Sequence, residues 1–271
     1  MYRFHESRAV GQVVRKHIKY VRKSILHVKL IDELISLTPE EEVMDLAVGV
    51  GWTAVLSKYA GMAMTLKSDE EPRDIERLHE MNTRELAKLL RSWNFLEASI
   101  GLAAINSTIP PPENYRVVNA LDLALKESEG KTVTMVGYFP GYVEKFRERA
   151  KRFYVLELNQ CFLSSNSNVL FTFAAEEVIP ESDIVVMTAT TIINKSVERL
   201  LQLASSAKVY LLGPSTPMTE VLFDYGVDII GGVRVKDGGK LIRAVKNGLQ
   251  FPFSDYMRRE VLEEAVVERA K

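Results

Sequence analysis

The sequence has very little cysteine and histidine. Among its 271 residues there is one cysteine, Cys161, so an internal disulfide bond is excluded. All four histidines lie before residue 80 without H-x-x-x-H or H-x-H spacing, and no C-x-x-C pair occurs. These spacings are typical of zinc sites, so a structural zinc site is not expected. A catalytic triad in the second half would need a histidine from the first half.

Long apolar runs and clusters of basic residues are also missing. No uninterrupted apolar stretch reaches the ~20 residues of a membrane-spanning helix, and residues 1–6 have no apolar core of the signal-peptide kind. The 35 basic and 36 acidic residues give a net charge of −1, without a basic stripe carrying interleaved aromatics. We therefore expect a soluble cytoplasmic protein that binds a small molecule, and neither nucleic acid nor a membrane.

Two common functional signatures do not occur. There is no G-x-S-x-G nucleophile elbow, because Ser215 follows a proline. The run Gly137–Gly141 has only two glycines and does not match G-x-G-x-x-G. Glu157 nevertheless ends the next predicted strand, 20 residues after Gly137, where nucleotide-binding folds carry a ribose-binding acid. The alternative is a strand-end carboxylate that is either solvated or paired with Lys151 or Arg152.

The second half of the chain alternates between short apolar runs and helical patterns. Such alternation predicts a parallel sheet with helices on both faces, a Rossmann-like arrangement. A helical pattern near the C-terminus predicts a final helix over residues 258–270. The predicted strands are 132–136, 153–157, 184–188, 208–212 and 228–235, and the helices between them are 142–150, 195–206 and 217–225.

The first half has the mixed pattern of an α+β domain. Apolar residues at three- and four-residue steps predict an amphipathic helix over residues 10–28, followed by a short helix over Leu30–Ile35. Runs of β-forming residues interrupted by glycines predict two strands joined at Gly49–Gly51 and a third near Ala63–Leu66, after a turn at Gly61. The helices that follow are predicted over Thr83–Trp93 and Phe95–Asn106.

Three consecutive prolines mark the boundary between the halves. Pro110, Pro111 and Pro112 cannot continue a helix and favour a stiff extended connector. We therefore predict two domains, residues 1–108 and residues 109–271.

Four predicted strands run directly into polar turns, three of which carry glycine. Because parallel strands point the same way, these turns meet at one edge of the sheet, where open α/β sheets bind ligands. Helix N-termini predicted after Thr191 and Ser215 would offer unpaired N–H groups to an anion. The alternative is that these residues only build turns and caps. The turns are Gly137–Gly141, Thr188–Thr191, Gly213–Pro217 and Gly231–Gly232.

Five segments, in order, resemble DUF364, a family described as putative heavy-metal chelation. They are residues 49–55, 98–106, 136–140, 188–194 and 213–217. The resemblance implies an enolase N-terminal-like domain followed by a Rossmann-like domain, with a ligand site in the cleft between them. Carried over position by position, it implies these cleft residues: Thr53, Asn106, Gly137, Phe139, Pro140, Glu157, Thr190, Thr191, Asn194, Gly213, Pro214, Ser215 and Thr216.

The leading hypothesis is a small-molecule-binding protein whose cleft takes an anionic ligand or a chelated metal, with enzymatic activity left open. One alternative is an enzyme that uses NAD or S-adenosylmethionine at the same sheet edge. The other is a structural or assembly subunit whose turns have no ligand. The apolar helix surface of the first half also suggests a homodimer. The sequence identifies neither the substrate, nor a metal, nor a catalytic residue.

Overall fold

The computed structural model describes residues 30–73, 75–162 and 168–270. The amphipathic helix predicted over residues 10–28 falls outside these ranges. Within them the chain forms an α/β structure with a small antiparallel sheet and a larger, mostly parallel sheet flanked by helices. The predicted fold class is confirmed. None of the helices in these ranges is long and apolar enough to span a bilayer.

The described residues of the first half form helices α1 to α3 and an antiparallel sheet in the order β1-β2-β3. The predicted hairpin at Gly49–Gly51 is present. The third strand begins at Ala60, earlier than predicted, because Leu56 pairs with Ala60 across a three-residue turn. Gly61 therefore lies inside a strand. The elements are α1 (Leu30–Leu37), β1 (Asp45–Val48), β2 (Trp52–Leu56), β3 (Ala60–Met64), α2 (Thr83–Lys88) and α3 (Phe95–Asn106).

Helix α3 is apolar on all sides and forms the centre of the first half. Residues 98–105 are all buried, as expected of a helix without a polar face. Its start is fixed by Asn94, whose side chain accepts hydrogen bonds from two first-turn N–H groups at 3.0 and 3.2 Å. One side of α3 packs on the small sheet, where Val55 and Ala63 join its buried cluster.

The second half forms a seven-stranded sheet in the order β10-β9-β8-β7-β4-β5-β6. All neighbouring strands are parallel except β9 and β10. The strands are β4 (Thr132–Val136), β5 (Arg152–Glu157), β6 (Val169–Phe171), β7 (Ile184–Thr188), β8 (Lys208–Leu212), β9 (Ile229–Val235) and β10 (Leu262–Glu268). The helices are α4 (Ala120–Glu127), α5 (Val143–Arg149), α6 (Ala175–Val178), α7 (Thr190–Ile193), α8 (Val197–Leu203), α9 (Val221–Asp224) and α10 (Gly238–Lys246).

The five predicted strands of this sheet are confirmed, but the final helix predicted over residues 258–270 is wrong. A π-helical turn, Met257–Val261, leads there into β10. Leu262, Ala265 and Val266 have helical spacing, yet they pair antiparallel with β9, where Val266 lies opposite Gly231. Hydrogen-bonded pairing with the edge strand β9 therefore determines the conformation of this segment, and its helical spacing does not. Strand β6 was not predicted, and the helix predicted over residues 217–225 shortens to α9.

Helix α10 belongs to the second half of the chain but packs against the small sheet of the first half. It packs on the face of the small sheet opposite α3, where Leu241 and Val245 share a buried cluster with Trp52 and Ala54. Because both faces of β2 are covered, four of its five residues are buried. The apolar run in β2 thus reflects a sheet sandwiched between two helices that are distant in the chain.

The order of the parallel strands decides where a ligand can bind. Counted within the second half, the order is 3-2-1-4-5-6, with the antiparallel β10 added after the sixth strand. Strand order therefore reverses between β4 and β7. In doubly wound sheets, the crevice beyond the carboxyl ends at this reversal is the usual ligand site.

Candidate functional site

The turns after β4, β7 and β8 meet at the carboxyl edge of the parallel sheet. Gly137 and Gly213 have φ angles of +91° and +115°, a region that side chains other than glycine rarely adopt. A Cβ atom on Gly137 would lie 2.8 Å from Cγ2 of Thr188, so the first two turns touch. Open space lies beside Gly213. Three of the four predicted turns therefore meet, whereas the fourth prediction is wrong, because Gly231 and Gly232 lie inside β9 and pair with β10.

Glu157 connects the β4 turn to the end of β5. Its Oε2 accepts a hydrogen bond from the N–H of Tyr138 at 2.9 Å. Its Oε1 accepts from the N–H groups of Leu158 and Asn159 at 2.7 and 2.8 Å. Both carboxylate oxygens are thus engaged by the backbone. Within the described residues its partners are backbone N–H groups, and not the basic neighbours considered from the sequence.

We expect Glu157→Gln to destabilise the protein by about 1–3 kcal/mol, because an amide turns one acceptor into a donor facing backbone N–H groups. Urea denaturation would measure the change. Glu148→Gln, at an exposed position on α5, is the matched control and should stay within about 0.5 kcal/mol of the parent. Equal stability of the two variants would show that the carboxylate does not hold this turn.

Polar side chains of the β7 turn bond mainly to one another. The Thr191 hydroxyl donates to the carbonyl of Thr188 at 2.7 Å, and Oγ1 of Thr190 lies 3.1 Å from Oγ1 of Thr188. Oδ1 of Asn194 accepts from the N–H and the hydroxyl of Ser196. These groups build the turn and the start of α8, the structural alternative considered from the sequence.

Lys195 follows this turn in an unusual conformation. Its φ angle is +66°, and its Nζ donates to the carbonyl of Ile193 at 2.6 Å. Burial lowers the pKa of Lys195 to about 8. The Nζ also lies 5.9 Å from the centroid of the Phe95 ring in α3. The ammonium group therefore caps the end of α7 at the contact with the first half.

The β8 turn is bonded directly to the first half. Oγ of Ser215 accepts from the N–H of Met64 at 2.8 Å. Nδ2 of Asn106 donates to the carbonyls of Met62 and Ser215 at 2.9 and 3.1 Å. Asn106 and Ser215, which are 109 residues apart, are thus brought together. Oδ1 of Asn106 is buried without a hydrogen-bond partner in the described part of the chain.

One expectation about this region is corrected, namely the helix predicted to begin after Ser215. No helix begins directly after Ser215, since α9 starts at Val221, and the Thr216 hydroxyl donates to the carbonyl of Gly213 instead of capping a helix. Thr53 is fully buried and its hydroxyl lies 2.9 Å from that of Thr65. The chain turns irregularly after β8 because Pro214 and Pro217 each remove a backbone donor.

A pocket of about 260 Å³ lies between the β8 turn, the β2–β3 hairpin and the end of β9. The proline triplet of the connector also lines it. Three of the predicted cleft residues line this pocket, namely Asn106, Pro214 and Thr216. The predicted residues on the β4, β5 and β7 side, and Thr53, lie elsewhere. They are Gly137, Phe139, Pro140, Glu157, Thr190, Thr191 and Asn194. Gly213 and Ser215, in the β8 turn, do not line the pocket either.

The charged residues that line the pocket are all basic. They are Lys58 in the β2–β3 turn, Arg234 in β9 and Lys236 just after it. No carboxylate of the described residues lines the cavity. Gly238, the first residue of α10, also lines it, and the Asp237 carboxylate caps the N-terminus of that helix. The pocket is therefore suited to an anion.

Sequence reasoning missed these three basic residues. Arg234 and Lys236 are two positions apart at the carboxyl end of a predicted strand, and this spacing places side chains on one face. That pattern could have placed Arg234 and Lys236 among the predicted ligand-binding residues at the carboxyl edge of the sheet. Lys58 had no comparable signal, because it reaches the pocket only through the position of the hairpin against the second half.

The fold and the site define an α/β protein in which a small antiparallel sheet is hydrogen-bonded to the carboxyl edge of a doubly wound sheet. The chain belongs to the DUF364 family, described as putative heavy-metal chelation, which it matches over residues 119–263. Residues 31–109 match a second family with the same description, DUF4213.

Relatives from three organisms extend this comparison. The chain is 26% identical to an uncharacterized protein of Methanocaldococcus jannaschii, over 79% of this chain and 88% of that protein. A DUF364 crystal structure from Desulfitobacterium hafniense, of unknown function, superposes with a TM-score of 0.77 and 26% identity, covering 89% and 98% of the two chains. A DUF364 crystal structure from Pyrococcus horikoshii superposes with a TM-score of 0.74, covering 88% of this chain and 98% of that chain. Its sequence identity is 21%, so it supports the fold alone.

The family description raises the question of whether the described residues could coordinate a heavy metal. Heavy metals favour thiolate and imidazole ligands. Among the residues that the structure describes, no group of three or more His, Cys, Asp or Glu side chains is arranged to hold an ion. Cys161 and His79 are both exposed and far apart in the chain. The described donor set therefore does not fit direct coordination of a heavy metal.

Proposed function

We propose that this protein binds a small anionic molecule in the pocket between its two sheets. The observation that carries the proposal is the lining by Lys58, Arg234 and Lys236 without an accompanying carboxylate. Arg234 is paired with Glu263 at 3.4 Å, but Lys58 and Lys236 have no ion pair with a described residue, so their charges attract an anion. The same charges oppose a bare metal cation, so a metal would enter this pocket only within a negatively charged complex.

The size and walls of the cavity narrow the ligand further. At about 260 Å³ it lies just below the ~300–1,000 Å³ of ordinary ligand pockets. A complete dinucleotide is too large for it. Apolar side chains form much of the wall, including Met62, Ile109 and Met218. These features favour a compact organic anion with an apolar part, held at its charged end by the basic residues.

A nucleotide-cofactor enzyme is the second candidate, favoured by the 3-2-1-4-5-6 strand order. Its expected site is the crevice between β4 and β7, outside the pocket. The Glu157 carboxylate has about four acceptor sites, and backbone N–H groups occupy three of them, so one site remains for a ribose hydroxyl. A thermal shift with NAD or S-adenosylmethionine, but with no compact anion, would favour this candidate over our proposal.

The proposal predicts that citrate, used as an anionic probe, stabilises the protein against heat. At ~100 times its dissociation constant a ligand adds about 2.7 kcal/mol, roughly 5–10 °C for a protein of this size. One exposed ion pair contributes only ~0.2–1 kcal/mol, so we choose the double variant Lys58→Ala/Lys236→Ala. It should weaken citrate binding by about 10-fold in a calorimetric titration.

The control for this experiment removes two exposed lysines that do not line the pocket, Lys88 and Lys126. The Lys88→Ala/Lys126→Ala variant has the same net charge as the test variant, so a general effect of charge on citrate binding would appear in both. Equal affinities of the two variants for citrate, or the absence of any anion binding by the parent, would contradict the proposal.

A further inference from the structure

We infer that the anion in this pocket carries a phosphate monoester group and that Arg234 is the residue that recognises it. The inference rests on the proposed function and gives it a ligand class and a specificity-determining residue. It begins from the way in which Arg234 is held. Unlike the two lysines, its guanidinium is fixed by side chains from two other segments of the chain.

Tyr115 and Glu263 position the guanidinium group. The Tyr115 hydroxyl donates to Oε2 of Glu263 at 2.7 Å. Nη1 of Arg234 lies 3.3 Å from the Tyr115 hydroxyl and 3.4 Å from the same Glu263 oxygen. The hydrogen bond from Tyr115, together with Arg234, lowers the pKa of the Glu263 carboxyl. Glu263 therefore stays ionised and orients the Arg234 guanidinium from a position outside the pocket.

The rest of the guanidinium remains available for a ligand. A guanidinium has five N–H donors, and within the described ranges only Nη1 of Arg234 has a hydrogen-bonding partner. Arg234 lines the pocket, whereas Tyr115 and Glu263 do not. A planar fork that is anchored at one nitrogen and free at the others suits bidentate binding of an oxyanion.

The charge balance favours a doubly charged group. Lys236 donates its ammonium hydrogen bond to the neutral carbonyl of Arg259, and Lys58 has no ion pair with any described residue. Among the residues that the structure describes, Glu263 is the one carboxylate paired with a basic lining residue. Three positive charges less one negative charge leave two. A phosphate monoester carries about −1.5 to −2 at neutral pH, whereas a single carboxylate carries −1.

The lining residues come from separate elements of the fold. Gly238 places the first turn of α10 at the pocket, next to Lys236. The Asp237 carboxylate caps this turn by accepting a hydrogen bond from the N–H of Lys240 at 2.8 Å, so the attraction for an anion comes from the basic side chains. Lys58, Arg234 and Lys236 converge on one cavity from the β2–β3 turn and the end of β9. The apolar wall on the connector side would contact the organic part of the ligand.

The experiment compares glycerol 3-phosphate with lactate and malate as probes in calorimetric titrations. We expect glycerol 3-phosphate to bind at least 10-fold more tightly than lactate. Arg234→Lys keeps the positive charge but removes the planar guanidinium that can bind an oxyanion through two N–H groups. It should therefore weaken glycerol 3-phosphate binding about 10-fold and lactate binding less than 3-fold. Arg243→Lys, on the exposed part of α10 and outside the pocket, should leave both affinities unchanged.

Tyr115→Phe tests the positioning of Arg234 without changing any charge. We expect it to weaken glycerol 3-phosphate binding about 3-fold while lactate binding stays the same, a selectivity that a general loss of structure would not produce. Unchanged affinity of Arg234→Lys for glycerol 3-phosphate would overturn the role of Arg234. Tighter binding of malate than of glycerol 3-phosphate would overturn the phosphate assignment.

These outcomes separate the inference from the proposed function. If Lys58→Ala/Lys236→Ala loses anion binding while Arg234→Lys retains it, the pocket binds anions but Arg234 does not select them. If the parent protein binds neither glycerol 3-phosphate nor citrate, the inference and the proposed function both fail.

Discussion

Replacing Gly61 with alanine is expected to lower the free energy of unfolding by about 3 kcal/mol or more, because no space exists for one added methyl group. The new Cβ atom would lie 2.2 Å from the Ser107 nitrogen and 2.3 Å from the Ala103 oxygen. Both are backbone atoms at the end of α3, so no side-chain rotation can relieve the overlap. Strand β3 would have to move away from α3. Equilibrium denaturation in urea would measure the loss.

The matched control is Gly239→Ala in the first turn of α10. There the added Cβ would meet its nearest atoms at 3.6 Å, an ordinary van der Waals distance. Alanine is the better helix former by about 0.8–1 kcal/mol, so this variant should equal or exceed the parent in stability. If both glycine variants lose stability equally, the close approach of β3 to α3 is not the cause.

Trp52→Ala is expected to lower the free energy of unfolding by about 3–5 kcal/mol, the range for removal of a large buried aromatic side chain. Trp52 is only 2% exposed and lies where β2, α10 and the segment leading to β10 meet. Its ring centroid is 5.2 Å from that of Phe253. The variant should therefore loosen the contact between the halves. Thermal denaturation followed by circular dichroism would report it.

The other tryptophan of the chain provides the control. Trp93 is 76% exposed, so Trp93→Ala should change stability by no more than about 0.5 kcal/mol. Trp52→Phe should recover most of the loss, because the indole N–H of Trp52 has no hydrogen-bond partner in the described residues. If Trp52→Ala is as stable as Trp93→Ala, α10 does not depend on this side chain for its packing.

The helices and strands of the second half were largely predictable from local pattern. The runs at residues 132–136, 184–188 and 208–212 lie in β4, β7 and β8 with the predicted bounds. Such runs are continuous because helices cover both faces of a parallel sheet. Their alternation with helical patterns predicted parallel pairing, and parallel pairing brought the following turns to one edge.

The pocket could be predicted only in part. Asn106, Pro214 and Thr216 were expected in the cleft and line it, whereas ligand binding by the residues at the β4, β5 and β7 turns stays a prediction. Lys58 and the connector prolines reach the cavity only because the hairpin and the connector lie against β9. These contacts join residues more than a hundred positions apart, and no local spacing encodes them.

The sequence by itself determined the parallel sheet and its carboxyl edge, because apolar periodicity and turn chemistry act over a few neighbouring residues. Tertiary structure alone decided three other features. It turned residues 262–268 into an edge strand, engaged Glu157 with backbone N–H groups, and gathered Lys58, Arg234 and Lys236 around one cavity. The edge strand and the cavity depend on which distant surfaces pack together, and the bond between Glu157 and Tyr138 depends on the pairing of β4 with β5.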